Sequence, residues 1–430
     1  MLAHELILDP NFSLKPTEKT PFAKQVEDIA KRAMVDTIKE QMKAGTYSSH
    51  LIAALSDIQK GLLGMVNEKG PIAHEIHQVF DFDYIKQQMD SKVFNLVKLV
   101  QYTGEKMLQL CAPIRDKSIR EIGNEKDVVV AMFKLLDLIQ EMKLDLANYR
   151  LQAIKPILTQ QAVDYEKNKF NLAIFNGSLK LTKTKKWLED TVKQMNAVKE
   201  SRNPEMIQTQ SKIKYSDVFN HALLGLLFST KPIDPSLLPE TLSIDAKRLF
   251  DFQNELQAMT IVSAITMLSK NIVVELRLEH QVMQELTKRL FAHLRSENTT
   301  LEVLVKEITD TCNILFHKQT KVVSNVSNLT SNPMQQRLKE LSPEQIELIT
   351  NMVSKTVSYK DPFFSVLNRR LEKLTRLALE STFRRNSLAK HGLDLIGGEL
   401  ESLMVKITLM AKHNKNVFGE HYDKILKSIV

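Results

Sequence analysis

RLFDFQNELQAMTIV, residues Arg248 to Val262, places Leu249, Phe252, Leu256, Met259 and Val262 at steps of three and four. That spacing lines one face of an α-helix and predicts a buried stripe along it. The rhythm recurs on both sides. From Lys126 it runs through Val129, Phe133, Leu136 and Met142, with Lys126, Lys134 and Glu141 off the stripe. Further on it runs through Leu367, Leu371, Leu374 and Ala378, then through Leu400, Leu403, Ile407 and Met410. No alternation of apolar and polar residues of comparable length occurs. The chain of 430 residues holds only 12 glycines and 13 prolines, against the roughly 7% and 5% usual. Sheet proteins need more tight turns than that. The sequence predicts an all-α protein, a multi-helix array or bundle of long amphipathic helices in two halves with no β-sheet.

Helix boundaries follow from local chemistry. Ser342-Pro343-Glu344-Gln345 reads as a helix start, with serine as cap, proline in the first turn and Gln345 completing a capping box. Asp361-Pro362, Asn203-Pro204-Glu205 and Asn332-Pro333 read similarly. Lys155-Pro156 interrupts a long helical pattern and is expected to kink or break it. The apolar rhythm fades from 196 to 216, which predicts an N-terminal helical half (1–195), a linker (196–216) and a C-terminal helical half (217–430). Ser324 to Pro333 is a second polar stretch. No period typical of tetratricopeptide or ankyrin solenoids is visible.

Composition narrows the class further. Hydrophobic content of 43% and charged content of 26% are those of a globular chain. A net charge of +8 permits weak attraction to anionic surfaces and requires none. Two lone cysteines, Cys111 and Cys312, lie among apolar residues and read as reduced thiols of a reducing compartment. The start shows no positive region followed by an apolar run, so no secretory signal is expected. The most apolar stretch, Val218 to Phe228, is too short to span a bilayer. A cytoplasmic protein is expected.

Motifs for chemistry are sparse. His74-Glu75-Ile76-His77 spaces its histidines three apart, where the zinc-protease motif needs four with a glutamate beside the metal. No phosphate-cradling glycine loop, Gly-x-Ser-x-Gly elbow or cysteine pair at metal spacing is present. Cys111 sits at an apolar helix end, where a thiol is inert. The expectation is a protein that is not an enzyme, with no catalytic residue, no cofactor and no metal. Two basic features stand apart. Lys180, Lys183, Lys185 and Lys186 surround Trp187 and form a candidate contact face for phosphates or acidic surfaces, with a solvated helix face as the plainer reading. Arg384-Arg385-Asn386-Ser387 fits the pattern favoured by cyclic-AMP-dependent protein kinase, making Ser387 a candidate phosphorylation site.

Several segments together resemble the t-complex protein 11 family. They are Leu2-Ala3-His4-Glu5, Phe82 to Gln87, Leu110-Cys111-Ala112-Pro113-Ile114-Arg115-Asp116, Met142 to Tyr149 and Val163 to Phe170. The ending, Asn414 to Phe418 and Tyr422 to Leu426, also matches. Order and spacing fit over nearly the whole chain, except at 196–216 and 295–334. Many members carry a polar extension before Leu-Ala-His-Glu, which is expected here to be absent or removed. The resemblance implies a helical, non-catalytic subunit that binds other proteins. It points to ciliary or flagellar machinery of the nexin–dynein regulatory complex type and to cyclic AMP–protein kinase A signalling. Members also occur in lineages without cilia. The alternatives are a soluble cytoplasmic adaptor of kinase signalling, or a weak binder of anionic membrane, with nucleic acid a less favoured partner. Cys111, Pro113, Arg115, Asp116, Lys143, Asp145, Asn148 and Tyr165 are the structural or interaction residues the resemblance singles out.

Two of these segments also carry a geometric expectation. Pro113 should end the helix that contains Cys111. In the later helix Met142, Leu146 and Tyr149 share a face, with Asp145 and Asn148 on its flank. Arg115 is expected to pair with Asp145, because charge withdrawn from water needs a partner.

Overall fold

The computed structural model describes residues 2–9, 11–17, 19–44, 49–202, 214–273, 280–296, 300–326, 341–390 and 392–429. Among them every regular element is a helix and none is a strand. The expected helix starts at Asn203-Pro204 and Asn332-Pro333 lie outside the described residues, as do residues 327–333 of the second polar stretch.

The stretch from Arg248 to Val262 belongs to the helix Ala246–Ile272, and all five members of its stripe are buried. From Met259 to Thr266 every residue is buried, so this part of the helix is enclosed on all sides. Around it stand the helices Tyr215–Leu227, His280–Leu294, Pro343–Val357, Pro362–Leu379 and Gly397–Lys427. Enclosed hydroxyls need acceptors. Thr260 and Thr266 find them one turn back, donating to the carbonyls of Leu256 and Val262 at 2.8 Å. Leu367, Leu371, Leu374, Leu400, Leu403, Ile407 and Met410 are buried as their spacing predicts.

The chain divides into two compact units, one of residues 1–8 with 161–430 and one of residues 9–160. The larger unit has the core just described, in which Trp187 packs edge-on against Phe219 with ring centroids 6.1 Å apart. The expected linker at 196–216 falls within this unit. Its beginning continues the helix Thr182–Arg202, its end begins the helix Tyr215–Leu227, and residues 203–213 lie outside the described residues.

The smaller unit contains the helices Pro21–Ala44, Ser49–Leu63, Pro71–Val79, Phe82–Asp90, Leu96–Leu110 and Asp116–Gly123 with the first part of Val128–Phe175. Its separate core centres on Ile58, Leu62, Ile76, Met107, Met132 and Ile139. Gly61 is required for one close approach there, since a Cβ at this position would lie 2.5 Å from Cγ2 of Ile139. Val129, Phe133 and Met142 are buried as expected.

Local chemistry sets the helix ends. Ser342 accepts from the Gln345 amide at 3.2 Å while the Gln345 side chain accepts from the Ser342 amide at 2.9 Å, completing the capping box. Asp361 caps the helix Pro362–Leu379 through the Phe363 amide at 2.9 Å. Pro113 acts as predicted, for the helix ends at Leu110 and a short 3-10 turn runs from Pro113 to Arg115.

One expectation is narrowed. Of the kink or break expected at Pro156, the break does not occur, since one helix spans Val128 to Phe175. A proline removes its own ladder hydrogen bond and crowds the preceding turn, and 48 residues of helix absorb that local loss. Tyr149 stands on the same helix face as Met142, but Met142 is buried and Tyr149 is 75% exposed.

Candidate functional site

Three of the segments that carry the resemblance meet inside the larger unit. His4 comes from the helix Leu2–Leu8, Glu166 from Val128–Phe175, and His413 from Gly397–Lys427, next to Asn414. Leu6 and Leu8 anchor the first helix by their burial. Glu166 stands at the inward position of the row Ala162, Glu166, Phe170, whose flanking members are buried or packed on the core. One oxygen of Glu166, Oε2, lies 3.2 Å from His4 Nδ1 and 2.9 Å from His413 Nε2. The two imidazoles meet edge to face with centroids 5.1 Å apart. On its other side His4 Nε2 lies 3.1 Å from Asp245 Oδ1. Arg248 spans Asp245 and Glu5, donating to Glu5 Oε2 at 2.7 Å.

Burial alone would strip the second proton from His4. Hydrogen bonds to Asp245 and Glu166 outweigh it and push the ring up to about 9. Burial would likewise raise Glu166, but hydrogen bonds from His4 and His413 hold it down at about 2. At neutral pH His4 therefore donates from both ring nitrogens, one proton to each carboxylate. An ionised carboxylate only accepts, so His413 Nε2 also carries a proton toward Glu166. The second oxygen, Glu166 Oε1, is buried and has no hydrogen-bond partner among the described residues. Below this cluster Asn414 donates to the Thr241 carbonyl at 2.8 Å and accepts from the Tyr422 hydroxyl at 2.7 Å.

Tyr165 is exposed, whereas its neighbour Glu166 carries the contacts. No motif spacing links His4, Glu166 and His413, which stand 162 and 247 residues apart in the chain. Only the fold brings the three together.

The residues of the Cys111 and Asp145 segments assemble in the smaller unit. Arg115 Nε donates to Asp145 Oδ2 at 2.8 Å and its Nη2 to Oδ1 at 3.2 Å, in the expected pairing, with Glu141 as a further partner. Asn148 grips the backbone of Leu14, accepting from its amide at 2.6 Å and donating to its carbonyl at 3.1 Å. One turn on, Gln152 donates to the Phe12 carbonyl at 3.4 Å. Lys143 lies over Gly64, its Cε 3.6 Å from where a Cβ would stand.

Cys111 is half-buried and Cys312 buried, and neither forms a disulfide. Burial and a hydrogen bond to Asp116, 3.2 Å from the sulfur, push the Cys111 thiol up to about 11 from a usual 9. Two pKa steps cut the thiolate fraction at pH 8 by about a hundredfold, and the thiolate is the nucleophile. Alkylation of Cys111 by iodoacetamide, followed by peptide mass spectrometry, is expected to be slower than for a free thiol by that order. Asp116→Asn should speed it; equal rates in the two proteins would refute the assignment.

The remaining candidates are occupied locally. Glu75 pairs with Lys106 at 2.8 Å, while His74 bonds Gln78 and lies apart from that carboxylate's partner. Lys180, Lys183, Lys185 and Lys186 are exposed, but Lys183 Nζ donates to the Ser236 carbonyl at 2.6 Å and Lys185 faces Glu189. Trp187 anchors this helix to the core from its apolar side. At its N-terminus the Glu240 carboxylate accepts from the amides of Lys183 and Thr184 at 2.9 and 2.8 Å. The place a phosphate would take at that helix end is held by a residue of the chain itself. Ser387 is the second residue of the short helix Asn386–Lys390, its hydroxyl donating to the Arg384 carbonyl at 2.5 Å. No helix among the described residues is long and apolar enough to cross a membrane.

The family model described as T-complex protein 11 matches residues 2–427. The T-complex protein 11 homolog of Homo sapiens is 24% identical over 429 residues, covering 94% of this chain and 81% of that protein. The homolog of Rattus norvegicus is 24% identical, covering 92% of this chain and 70% of its own. Protein SOK1 of Saccharomyces cerevisiae is 23% identical over 72% of this chain and 35% of its own length. No solved structure matches.

Proposed function

The chain belongs to the T-complex protein 11 family, and from that premise we propose that it is a non-catalytic helical subunit whose work is to bind other proteins. The observation that carries this reading is an apolar stripe left on the surface of the helix Pro21–Ala44. Phe22, Val26 and Ile29 are 75%, 49% and 59% exposed and stand at steps of four and three on one face. Single exposed apolar side chains are ordinary, whereas a contiguous helical row marks a surface made to be covered. Tyr165, Leu172 and Phe175 form a second exposed row, in the larger unit.

The finer reading is a subunit of ciliary or flagellar machinery, of the nexin–dynein regulatory type, linked to cyclic AMP and protein kinase A. Support comes from the family to which the T-complex protein 11 homologs belong. The second reading is a soluble cytoplasmic adaptor of kinase signalling. Ser387, two residues beyond Arg385 in the first turn of the short helix Asn386–Lys390, is the residue on which that second reading acts.

Cross-linking and mass spectrometry of the full-length protein in flagellated cells tests both. Links to doublet-bridging axonemal proteins are expected; links confined to soluble kinase components would replace the first reading with the second. Phe22→Glu combined with Ile29→Glu is expected to abolish the cross-links made by the smaller unit. Substitutions of exposed side chains shift stability by only about 0.5 kcal/mol, so the double variant should unfold at the wild-type denaturant concentration. Undiminished cross-links would remove this stripe from the interface.

A further inference from the structure

The geometry points to His4, Glu166 and His413 as a binding site for a divalent transition-metal ion, Zn2+ first, that ties the helix Leu2–Leu8 into the larger unit. The three ligand atoms, His4 Nδ1, Glu166 Oε2 and His413 Nε2, all lie within 4.8 Å of one another. Two imidazoles with one carboxylate are a zinc donor set. With metal–ligand bonds of about 2.0–2.2 Å, tetrahedral ligands stand roughly 3.3–3.5 Å apart. The nitrogens already stand 3.2 and 2.9 Å from the shared Glu166 oxygen. Outward movement of a few tenths of an ångström along these contacts makes room for the ion.

Three further observations separate this cluster from an ordinary ion pair. The first is that both imidazoles are enclosed, each side chain only 4% exposed, with the carboxylate 13% exposed. The second is the support behind His4. Asp245 sits 3.1 Å from its other nitrogen, Nε2, and is itself held by Arg248. Metal-bound histidines are oriented in this way, with a carboxylate holding the far N–H so that the near nitrogen presents its lone pair. The third is Glu166 Oε1, buried and without a partner among the described residues. It is left over as a fourth donor atom. A bidentate carboxylate and two imidazoles complete four-coordination without water.

The ion takes the position of the protons that now lie between these atoms. Its effect is mechanical, since it joins segments 162 and 247 residues apart in the chain. The family-bearing segments at the start, the middle and the end of the chain are the ones it joins.

The test uses the full, untagged chain, stripped with chelator and then titrated with Zn2+ by calorimetry. One equivalent is expected to bind, and to raise the urea midpoint read by Trp187 fluorescence. Co2+ serves as the spectroscopic probe and should give the intense visible bands of a four- or five-coordinate site. His413→Gln keeps a hydrogen-bond donor toward Glu166 and should lose both signals while remaining folded. Asp245→Asn leaves the three ligands in place and should weaken Zn2+ by about 10–100-fold. Should His413→Gln fail to fold, the Co2+ spectrum of the wild type decides alone. Absence of saturable Zn2+ binding, a six-coordinate Co2+ spectrum, or equal binding by folded His413→Gln would each overturn the proposal.

Discussion

Glu166→Ala, measured without metal, is expected to destabilise the larger unit by about 3–5 kcal/mol, the range for removing one partner from a buried ion pair. The loss comes from what stays behind. Glu166 Oε2 is the acceptor for His4 Nδ1 and for His413 Nε2, so the alanine leaves two buried N–H groups facing a cavity. His4 retains Asp245, but that carboxylate is already shared with Arg248. Glu166→Gln keeps an acceptor for one histidine and should cost markedly less. Trp187 is the single tryptophan of the chain and packs in this unit. Urea unfolding followed by its fluorescence therefore reports on this unit. A double-mutant cycle with His4→Ala should return a coupling of at least 1 kcal/mol, because the two side chains touch. A loss below about 1 kcal/mol for Glu166→Ala would show that the cluster contributes nothing net to the fold.

The helices were legible in the sequence because each buries one stripe, and a stripe is a local property. Leu371 and Leu374 announce their burial within two turns. The capping box at Ser342 and Gln345 is likewise complete within four residues. What the sequence could not disclose was pairing between distant segments. The Arg115 to Asp145 contact was within reach because both lie in motif segments 30 residues apart, and a half-buried guanidinium demands a carboxylate. His4, Glu166 and His413 gave no comparable sign. Each looks like an ordinary polar residue on a helix, and their separations in the chain exceed any motif spacing. Pro156 marks the opposite failure. There the local rule was sound, and the length of the surrounding helix set the outcome.

Long-range joints of this kind do more for a low-turn helical protein than further stripes would. A stripe is satisfied by any apolar neighbour, so apolar burial alone leaves helix register loosely specified. A hydrogen-bonded side chain in the core has one arrangement that satisfies it, and every other arrangement leaves polar atoms unpaired. The cluster at Glu166 fixes three helices in this way, and Gln253 fixes a loop.

Gln253→Glu is the sharpest available test of that principle and carries the second large expected effect. Gln253 lies in the enclosed helix Ala246–Ile272 and is 1% exposed. Its Nε2 donates to the carbonyls of Leu226, Ser229 and Lys231 at 3.2, 3.0 and 3.0 Å, and its Oε1 accepts from the Ile233 amide at 3.0 Å. One side chain thus satisfies four backbone groups of the segment from 226 to 233. Glutamate is nearly the same shape and keeps the acceptor for Ile233. At neutral pH it sets a buried carboxylate against three carbonyl oxygens, and leaving such groups unmatched costs about 1–3 kcal/mol each. A loss of at least about 3 kcal/mol is expected at pH 7. The carboxyl of the variant should titrate above its unfolded value of about 4.3, because burial and facing carbonyls both disfavour its charge. The folded variant then holds a proton that the unfolded chain has released, so its stability falls as pH rises from about 4.3 and levels off above the folded pKa. Protonated, the group donates to one carbonyl again. The gap between variant and wild type should therefore narrow on acidification toward pH 4, and Gln253→Leu, which cannot titrate, should show no such narrowing. A Gln253→Glu deficit that is independent of pH would mean that the 226–233 segment moves away from the new charge, and that the clamp is not the feature holding it.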